Sequence, residues 1–141
     1  MQPNPSIRIL DIMLVEDDEV DVMHVQRCFK KMGVKHRLHV FEDSTRAFQQ
    51  LMDEAYPLPQ VILLDINMPK MNGLELLARL RNNPRTAHLM VFMMSTSANQ
   101  ADRTAAYQNQ VAGYIIKPLS ATDFADSLQK LMRFIDLCAF P

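Results

Sequence analysis

Five short runs of apolar residues alternate along the chain with five longer amphipathic segments. The runs lie at about residues 7–15, 38–41, 61–64, 90–94 and 113–116. The third run, Val61 to Leu64, is unbroken, which is typical of a strand covered on both faces of a parallel sheet. Strict alternation of strand and helix predicts an α/β fold with right-handed crossovers. Five pairs are too few for an eightfold barrel, which takes about 250 residues.

The segments between the runs carry apolar residues at helical spacings of three and four. They predict helices over about residues 20–32, 44–55, 73–80, 98–108 and 120–135. Gly33 is expected to end the first helix, and Ser44 to begin the second as its N-cap. Ligands of such sheets bind beyond the carboxyl ends of the strands, so the residues that follow each strand are the candidates for function.

Length and composition indicate one globular domain. The chain has 141 residues, of which 48% are hydrophobic and 22% charged. We expect a core at about residues 7–137, a short N-terminal arm at 1–6 and an apolar C-terminal tail at 134–141. The net charge of −1 gives no support to nucleic-acid binding, because no excess of basic residues is present to neutralise phosphates.

The sequence indicates neither a membrane span nor an export signal. No apolar stretch reaches the roughly 18 residues that a span needs, and the polar N-terminus lacks the features of a signal peptide. Cys28 and Cys138 lie far apart and form no Cys-x-x-Cys pair. We expect both to be free thiols in the reducing cytoplasm, which is the predicted location of the protein.

Polar side chains follow four of the predicted strands. Strand one is followed by Glu16, Asp17 and Asp18, strand three by Asp65, strand four by Ser95, and strand five by Lys117. At one edge of a parallel sheet these groups converge. Crowded carboxylates repel one another, and a hard divalent cation such as Mg²⁺ relieves the repulsion through oxygen ligands. The candidate ligands are Glu16, Asp17 and Asp65.

The same groups suit phosphoryl transfer. Asp65 follows the most buried strand, and carboxylates form covalent phosphoryl intermediates. Lys117 supplies a point charge for phosphoryl oxygens, and Ser95 supplies a hydroxyl donor. The reaction needs positioning and charge neutralisation more than a strong base. Each group alone has an ordinary explanation, such as a helix cap or a solvated lysine, so only their combination predicts this chemistry.

Three segments resemble the signatures of response regulator receiver domains. They are Leu14-Val15-Glu16-Asp17-Asp18, Leu63-Leu64-Asp65-Ile66-Asn67-Met68-Pro69-Lys70-Met71-Asn72-Gly73 and Gly113-Tyr114-Ile115-Ile116-Lys117-Pro118. The order and spacing of Asp65, Ser95 and Lys117 also agree with the family pattern. The resemblance covers about residues 7–137. It implies a flavodoxin-like (βα)5 fold, a doubly wound parallel sheet with strand order 2-1-3-4-5.

The resemblance also implies how the acidic residues act. A sensor histidine kinase would transfer a phosphoryl group to Asp65, the phosphoacceptor. Glu16, Asp17, Asp65 and the backbone carbonyl of Asn67 would hold Mg²⁺. Glu16 departs from the aspartate that many members carry, but its longer side chain would still reach the ion, directly or through a water molecule. Asn67 and Ser97 match two positions that tune how fast the acyl phosphate hydrolyses.

Further roles follow from the same resemblance for residues of the last two strands. Ser95 and Lys117 would contact the phosphoryl group, and Pro118 would follow Lys117 through a cis peptide bond. Tyr114 matches a switch position whose ring turns inward when Ser95 moves toward the phosphoryl group. The alternative for Tyr114 is a strand aromatic residue that simply packs on the sheet.

The opening of the chain and its short length resemble one subtype of the family. Two features are similar to stand-alone regulators that partner bacterial phytochromes. One is the sequence Glu16-Asp17-Asp18 followed by Val20-Asp21, and the other is the lack of room for an output domain after the last helix. The histidine kinase partner would then be a sensor of that kind. Signalling would proceed by protein–protein contact, with no membrane or nucleic acid involved.

The C-terminal tail is unusually apolar for a chain end. Phe134 and Leu137 lie off the inward stripe of the last helix, and exposed apolar residues suggest a partner surface. We expect a homodimer through the last strand and helix, with these two residues in contact. The alternative is that the tail folds back over its own domain.

The predicted function is a phosphoryl-accepting signalling switch, which catalyses only its own phosphorylation and dephosphorylation. Two other functions remain as alternatives. A phosphohydrolase of the haloacid dehalogenase type has an aspartate nucleophile, but it needs a second acid where this chain has Asn67, and it needs a cap for which there are no residues. An unphosphorylated pseudo-receiver would act as a scaffold, which the intact set of acids, serine and lysine argues against.

Overall fold

The apolar runs form the five parallel strands of one sheet, in the order β2-β1-β3-β4-β5 that the resemblance implies. The computed structural model describes residues 8–141, so the predicted arm at 1–6 and the first residue of the predicted core lie outside the described residues. The strands are β1 (Asp11–Val15), β2 (Arg37–Phe41), β3 (Val61–Leu64), β4 (Met90–Ser95) and β5 (Gly113–Ile116).

Five helices follow the strands in turn. They are α1 (Glu19–Lys31), α2 (Ser44–Met52), α3 (Gly73–Arg81), α4 (Gln100–Gln108) and α5 (Ala121–Leu137). A polar side chain precedes each helix and accepts hydrogen bonds from N–H groups of its first turn. These N-cap residues are Asp18, Asp43, Asn72, Asn99 and Ser120.

The expectation that Ser44 caps α2 is wrong. The cap is Asp43, which has extended backbone and accepts a hydrogen bond from the Thr45 N–H at 2.7 Å. Ser44 is the first helical residue, and its buried hydroxyl has no hydrogen-bond partner. The helix also ends at Met52 instead of residue 55, because Asp53 returns to extended backbone. At the end of α1, Gly33 has the expected left-handed conformation, with φ of 65°.

The core consists of two apolar layers, one on each face of the sheet. Side chains alternate along the strands, so Ile62 and Leu64 of β3 pack with α2, α3 and α4 on one face. Val61 and Leu63 pack with α1 and α5 on the other face. All four side chains of β3 are fully buried, as its unbroken apolar sequence predicts.

Arg81, at the end of α3, forms hydrogen bonds with two loops. Its guanidinium donates at 2.8 to 3.0 Å to the backbone carbonyls of Ala87, Leu89, Asn109 and Gln110. The last two carbonyls belong to the end of α4 and the residues beyond it, where helix carbonyls lack partners of their own. Arg81 therefore links α3 to both segments that enter the last two strands.

The apolar tail begins inside α5, which extends to Leu137. Phe134 and Leu137 lie off the inward stripe as predicted, with 49% and 84% of their surface exposed. Phe134 also touches the edge of Phe92, and Phe140 packs against the core, so part of the tail does fold back. Both cysteines are free thiols. None of the helices in residues 8–141 is long and apolar enough to cross a membrane.

Candidate functional site

Backbone hydrogen bonds between neighbouring strands extend one residue past the ends of β3 and β5, to Asp65 and Lys117. The N–H of Asp65 donates to the carbonyl of Val15 at 3.1 Å, and the N–H of Lys117 donates to the carbonyl of Ser95 at 2.8 Å. These bonds continue the parallel ladders of β1 with β3 and of β4 with β5. The predicted site residues are therefore held at one edge of the sheet by the main chain.

Three acidic side chains meet at this edge. Glu16, Asp17 and Asp65 each offer a carboxylate oxygen, and these oxygens lie within 4.8 Å of one another. Glu16 and Asp65 are buried, with 1% and 6% of their surface exposed, whereas Asp17 is exposed and leaves the cluster open to solvent. Hard oxygen donors with an open side fit a divalent cation such as Mg²⁺, which keeps part of its water shell.

Lys117 lies against the acidic cluster. Its ammonium hydrogen-bonds to Glu16, lies 2.8 Å from a carboxylate oxygen of Asp21, and lies 3.6 Å from Oδ2 of Asp65. The proximity of Lys117 to Asp65 and Glu16 is predicted from the sequence, whereas its contact with Asp21 is not. A signal for Asp21 does exist in the sequence: Asp21, Val25 and Cys28 share the inward face of α1, where an acid needs a partner.

Burial and charge act against each other in this cluster. Burial raises the pKa of Glu16 to about 8, against the opposing effect of the Lys117 ammonium. Burial alone would lower the pKa of Lys117, but its hydrogen bonds to Asp21 and Glu16 outweigh this effect and raise the pKa, so the side chain is a cation. One ammonium lies among four carboxyl groups here, and a divalent cation would balance the negative charge of those that are ionised.

Gly73 allows α3 to begin directly against Asp65. A Cβ atom at this position would lie 2.2 Å from the backbone oxygen of Asp65. The Gly73 N–H donates to the carbonyl of Ile66 at 2.9 Å, which closes the loop between β3 and α3. Lys70 turns this loop with a left-handed φ of 65°. Only glycine permits this approach, which explains its place in the resemblance.

A chain of hydrogen bonds runs outward from Ser95. Its buried hydroxyl accepts from the Ser97 N–H at 3.1 Å and contacts the side-chain nitrogen of Asn67 at 3.5 Å. The Ser97 hydroxyl donates to Asp102 of α4 at 2.8 Å, and the Tyr114 hydroxyl donates to the carbonyl of Ser97 at 2.9 Å. The predicted switch and tuning residues are therefore connected, and Tyr114 also packs against the core.

Asn67 lies next to the acidic cluster. Its N–H donates to Oδ1 of Asp65 at 3.3 Å. The expected cis bond between Lys117 and Pro118 is wrong, because residues 8–141 contain no cis peptide bond. The trans form is the one that an X–Pro bond favours, by about 0.5–1 kcal/mol.

An acidic cluster at the carboxyl edge of a 2-1-3-4-5 sheet, with an aspartate after the central strand, is typical of one class of signalling domain. The family model of the response regulator receiver domain matches residues 12–129. The chain therefore belongs to the response regulator receiver family, whose members act in two-component signalling.

Individual relatives are similar over nearly the whole chain. Response regulator Rcp1 of Synechocystis is 35% identical over 127 residues, which are 87% of this chain and 86% of the relative. The crystal structure of the Mn²⁺-bound form of Rcp1 has a TM-score of 0.89 at 32% identity, covering 94% of this chain and 99% of that one. The phosphorylated cyanobacterial phytochrome response regulator RcpA has a TM-score of 0.88 at 27% identity, covering 95% and 99%.

Proposed function

We propose that the protein is a single-domain response regulator that accepts a phosphoryl group on Asp65 in the presence of Mg²⁺. The observation that carries this proposal is the placement of the Lys117 ammonium 3.6 Å from Asp65, beside carboxylate oxygens within 4.8 Å of one another. One group supplies positive charge for phosphoryl oxygens, and the others suit a divalent cation. Self-phosphorylation from a phosphodonor and autodephosphorylation are the only reactions proposed.

Each residue has a defined task in this proposal. Glu16, Asp17, Asp65 and the backbone carbonyl of Asn67 would hold Mg²⁺, which neutralises charge on the transferring group when bound. A carboxylate oxygen of Asp65 attacks phosphorus while the bond to the donor breaks. Lys117 stabilises the charge on the phosphoryl oxygens, and the Ser95 hydroxyl donates a hydrogen bond to them. Ser97 and Asn67 would tune the return reaction with water, and Tyr114 would respond to the movement of Ser95.

The experiment is incubation with a small acyl phosphate and Mg²⁺, followed by intact mass measurement. The wild type should gain one phosphoryl group, and it should gain none with a chelator present. Asp65→Asn should stay unmodified, whereas Asp126→Asn, which removes an exposed carboxylate from α5, should be modified like the wild type. An unmodified wild type, or a modified Asp65→Asn variant, would favour the scaffold alternative.

A sensor histidine kinase is the proposed donor, and a bacterial phytochrome is the candidate sensor. RcpA is described as a phytochrome response regulator, and the likeness to this chain covers almost the full length of both. The proposed output is contact with another protein in the cytoplasm, without nucleic acid. Phosphotransfer from a purified phytochrome kinase should be complete within minutes, and transfer no faster than from an unrelated kinase would contradict this choice of donor.

A homodimer through β5 and α5 is proposed as the quaternary state. Ile116, Phe134 and Leu137 are exposed apolar side chains on these two elements. Leu137→Glu should shift sedimentation toward the monomer, whereas Tyr56→Ser, which removes an exposed apolar residue elsewhere, should not. A wild type that sediments as a monomer at tens of micromolar in both phosphorylation states would favour the tail folding back.

A further inference from the structure

We infer that Asp21 is a positioning residue for Lys117, holding the ammonium in place when Glu16 turns to a bound metal ion. The inference rests on the proposed function, in which Glu16 and Asp65 are metal ligands. It concerns a side chain that lies outside the three carboxylates able to share an ion. Asp21 would therefore be free to remain with Lys117 after the metal has bound.

Glu16 and Asp21 are the two acidic side chains closest to the Lys117 ammonium. The ammonium lies 2.8 Å from Asp21 and 3.6 Å from Asp65, and it hydrogen-bonds to Glu16. The Lys117 side chain is only 5% exposed, so water cannot easily replace a lost partner. A buried ammonium without a partner is costly, because its charge is desolvated without compensation.

Asp21 is itself well fixed. It lies in the first turn of α1, and its N–H donates to the Asp18 side chain at 3.2 Å. Its side chain is 20% exposed, so it retains contact with water while it bonds to Lys117. An acid in the first turn is also favoured by the helix dipole, and its negative charge is therefore stable in both metal states.

The consequence is a competition for Glu16. Without metal, Lys117 is hydrogen-bonded to Glu16, and a divalent cation must take Glu16 over. When Asp21 is present, Lys117 keeps one strong partner after this exchange. When Asp21 is neutral, the ammonium holds Glu16 more tightly, and metal binding leaves it with no acidic partner that is not itself a metal ligand. The metal affinity of the unphosphorylated protein then falls about ten-fold, the equivalent of one charged hydrogen bond.

A mimic of the phosphoryl group should restore most of the metal affinity that is lost when Asp21 is neutral. Beryllofluoride bound at Asp65 gives Lys117 a new anionic partner, so Asp21 matters less to the metal in that state. Loss of Asp21 should therefore weaken metal binding by about ten-fold without beryllofluoride and by less than about three-fold with it. A general structural defect would weaken binding equally in both states, so the comparison separates positioning from damage.

The test measures Mn²⁺ binding by electron paramagnetic resonance, with and without beryllofluoride. The variants are Asp21→Asn, Asp21→Glu and the matched control Glu19→Gln, which removes an exposed acid from the same helix turn. Asp21→Asn should lose affinity, Asp21→Glu should recover most of it, and Glu19→Gln should stay within about two-fold of wild type. Equal losses for Asp21→Asn and Glu19→Gln, or no recovery in Asp21→Glu, would overturn the inference.

A second measurement uses the wild-type protein, so it does not depend on whether a variant of Asp21 folds. In ¹⁵N-labelled wild type, the Lys117 ammonium should give a slowly exchanging resonance, assigned by its absence from Lys117→Arg. The resonance should persist at saturating Mg²⁺, since Asp21 still holds the group. Its disappearance on adding Mg²⁺ would overturn the inference. Failure of the wild type to bind Mn²⁺ at all would instead overturn the proposed function, so the two failures are distinguishable.

Discussion

The contact between Gly73 and Asp65 allows a sharp prediction for Gly73→Ala. The new Cβ would lie 2.2 Å from the backbone oxygen of Asp65, whereas real Cβ atoms stay at least 3.0 Å from such neighbours. Neither partner is the end of a flexible side chain, because one is in the first turn of α3 and the other follows β3. The backbone itself must therefore move at the end of the central strand.

The cost can be scaled from this geometry. Overpacking that forces backbone shifts costs about 1–3 kcal/mol, and this site belongs at the upper end because both partners are main chain. We expect Gly73→Ala to lower the free energy of unfolding by about 3 kcal/mol, or the melting temperature by about 10 °C. A domain with about 5–15 kcal/mol of stability still folds after such a loss.

Two other glycines provide matched controls in urea unfolding followed by circular dichroism. Gly33→Ala meets nothing within 4 Å but must adopt a left-handed backbone, at a cost of about 1 kcal/mol. Gly113→Ala meets only the ring of Phe92 at 3.3 Å, which can shift slightly. If Gly73→Ala is as stable as either control, then the close approach of α3 to Asp65 does not exist in solution and the reasoning fails.

Three further predictions concern charged groups. Arg81→Lys cannot reproduce the four hydrogen bonds to loop carbonyls and should lower the free energy of unfolding by about 2 kcal/mol, measured by urea unfolding. The hydrogen bond from Arg37 holds the pKa of Asp11 below its usual range, so this pair stabilises the fold at neutral pH and the benefit is lost as pH falls below about 4. Asp11→Asn should remove that acid dependence from circular dichroism titrations, with a small effect because Arg37 is exposed to solvent. Burial raises the pKa of Glu16 to about 8 in the folded protein, above its unfolded value, so ionisation of this group destabilises the fold. Without metal, the wild type should therefore lose stability relative to Glu16→Gln as pH rises from about 5 to 8. Mg²⁺ should reduce that loss, as measured by thermal unfolding.

The strands and the edge that bears the site were predictable from the sequence. The bounds of β3 and β5 agree with the predicted runs. A short apolar run flanked by polar residues is typical of a strand in a parallel sheet, so the ends of the run mark the ends of the strand. Once the topology is known, Asp65 and Lys117 must converge, since both follow strands that end at the same edge. Their proximity thus depends on main-chain geometry that the sequence pattern already contains.

Local choices between similar residues were less predictable. Asp43 and Ser44 are both good N-caps, and only the backbone conformation decides which one precedes α2. Asp21 pairs with Lys117 across 96 positions of sequence, and no local pattern specifies a partner at that distance. Its inward place on α1 indicates that it needs a cation, but the identity of that cation depends on how α1 and β5 pack.

The position of β3 has a consequence for hydrogen exchange. Its backbone is paired on both sides, with β1 and with β4, and its side chains are shielded on both faces. Amides of this strand should exchange with deuterium only when the whole domain unfolds, whereas amides of the loop around Lys70 should exchange by local opening. Asp65, the proposed phosphoacceptor, would thus follow the strand with the slowest exchange, while the loop that leads away from it would change conformation within the folded protein.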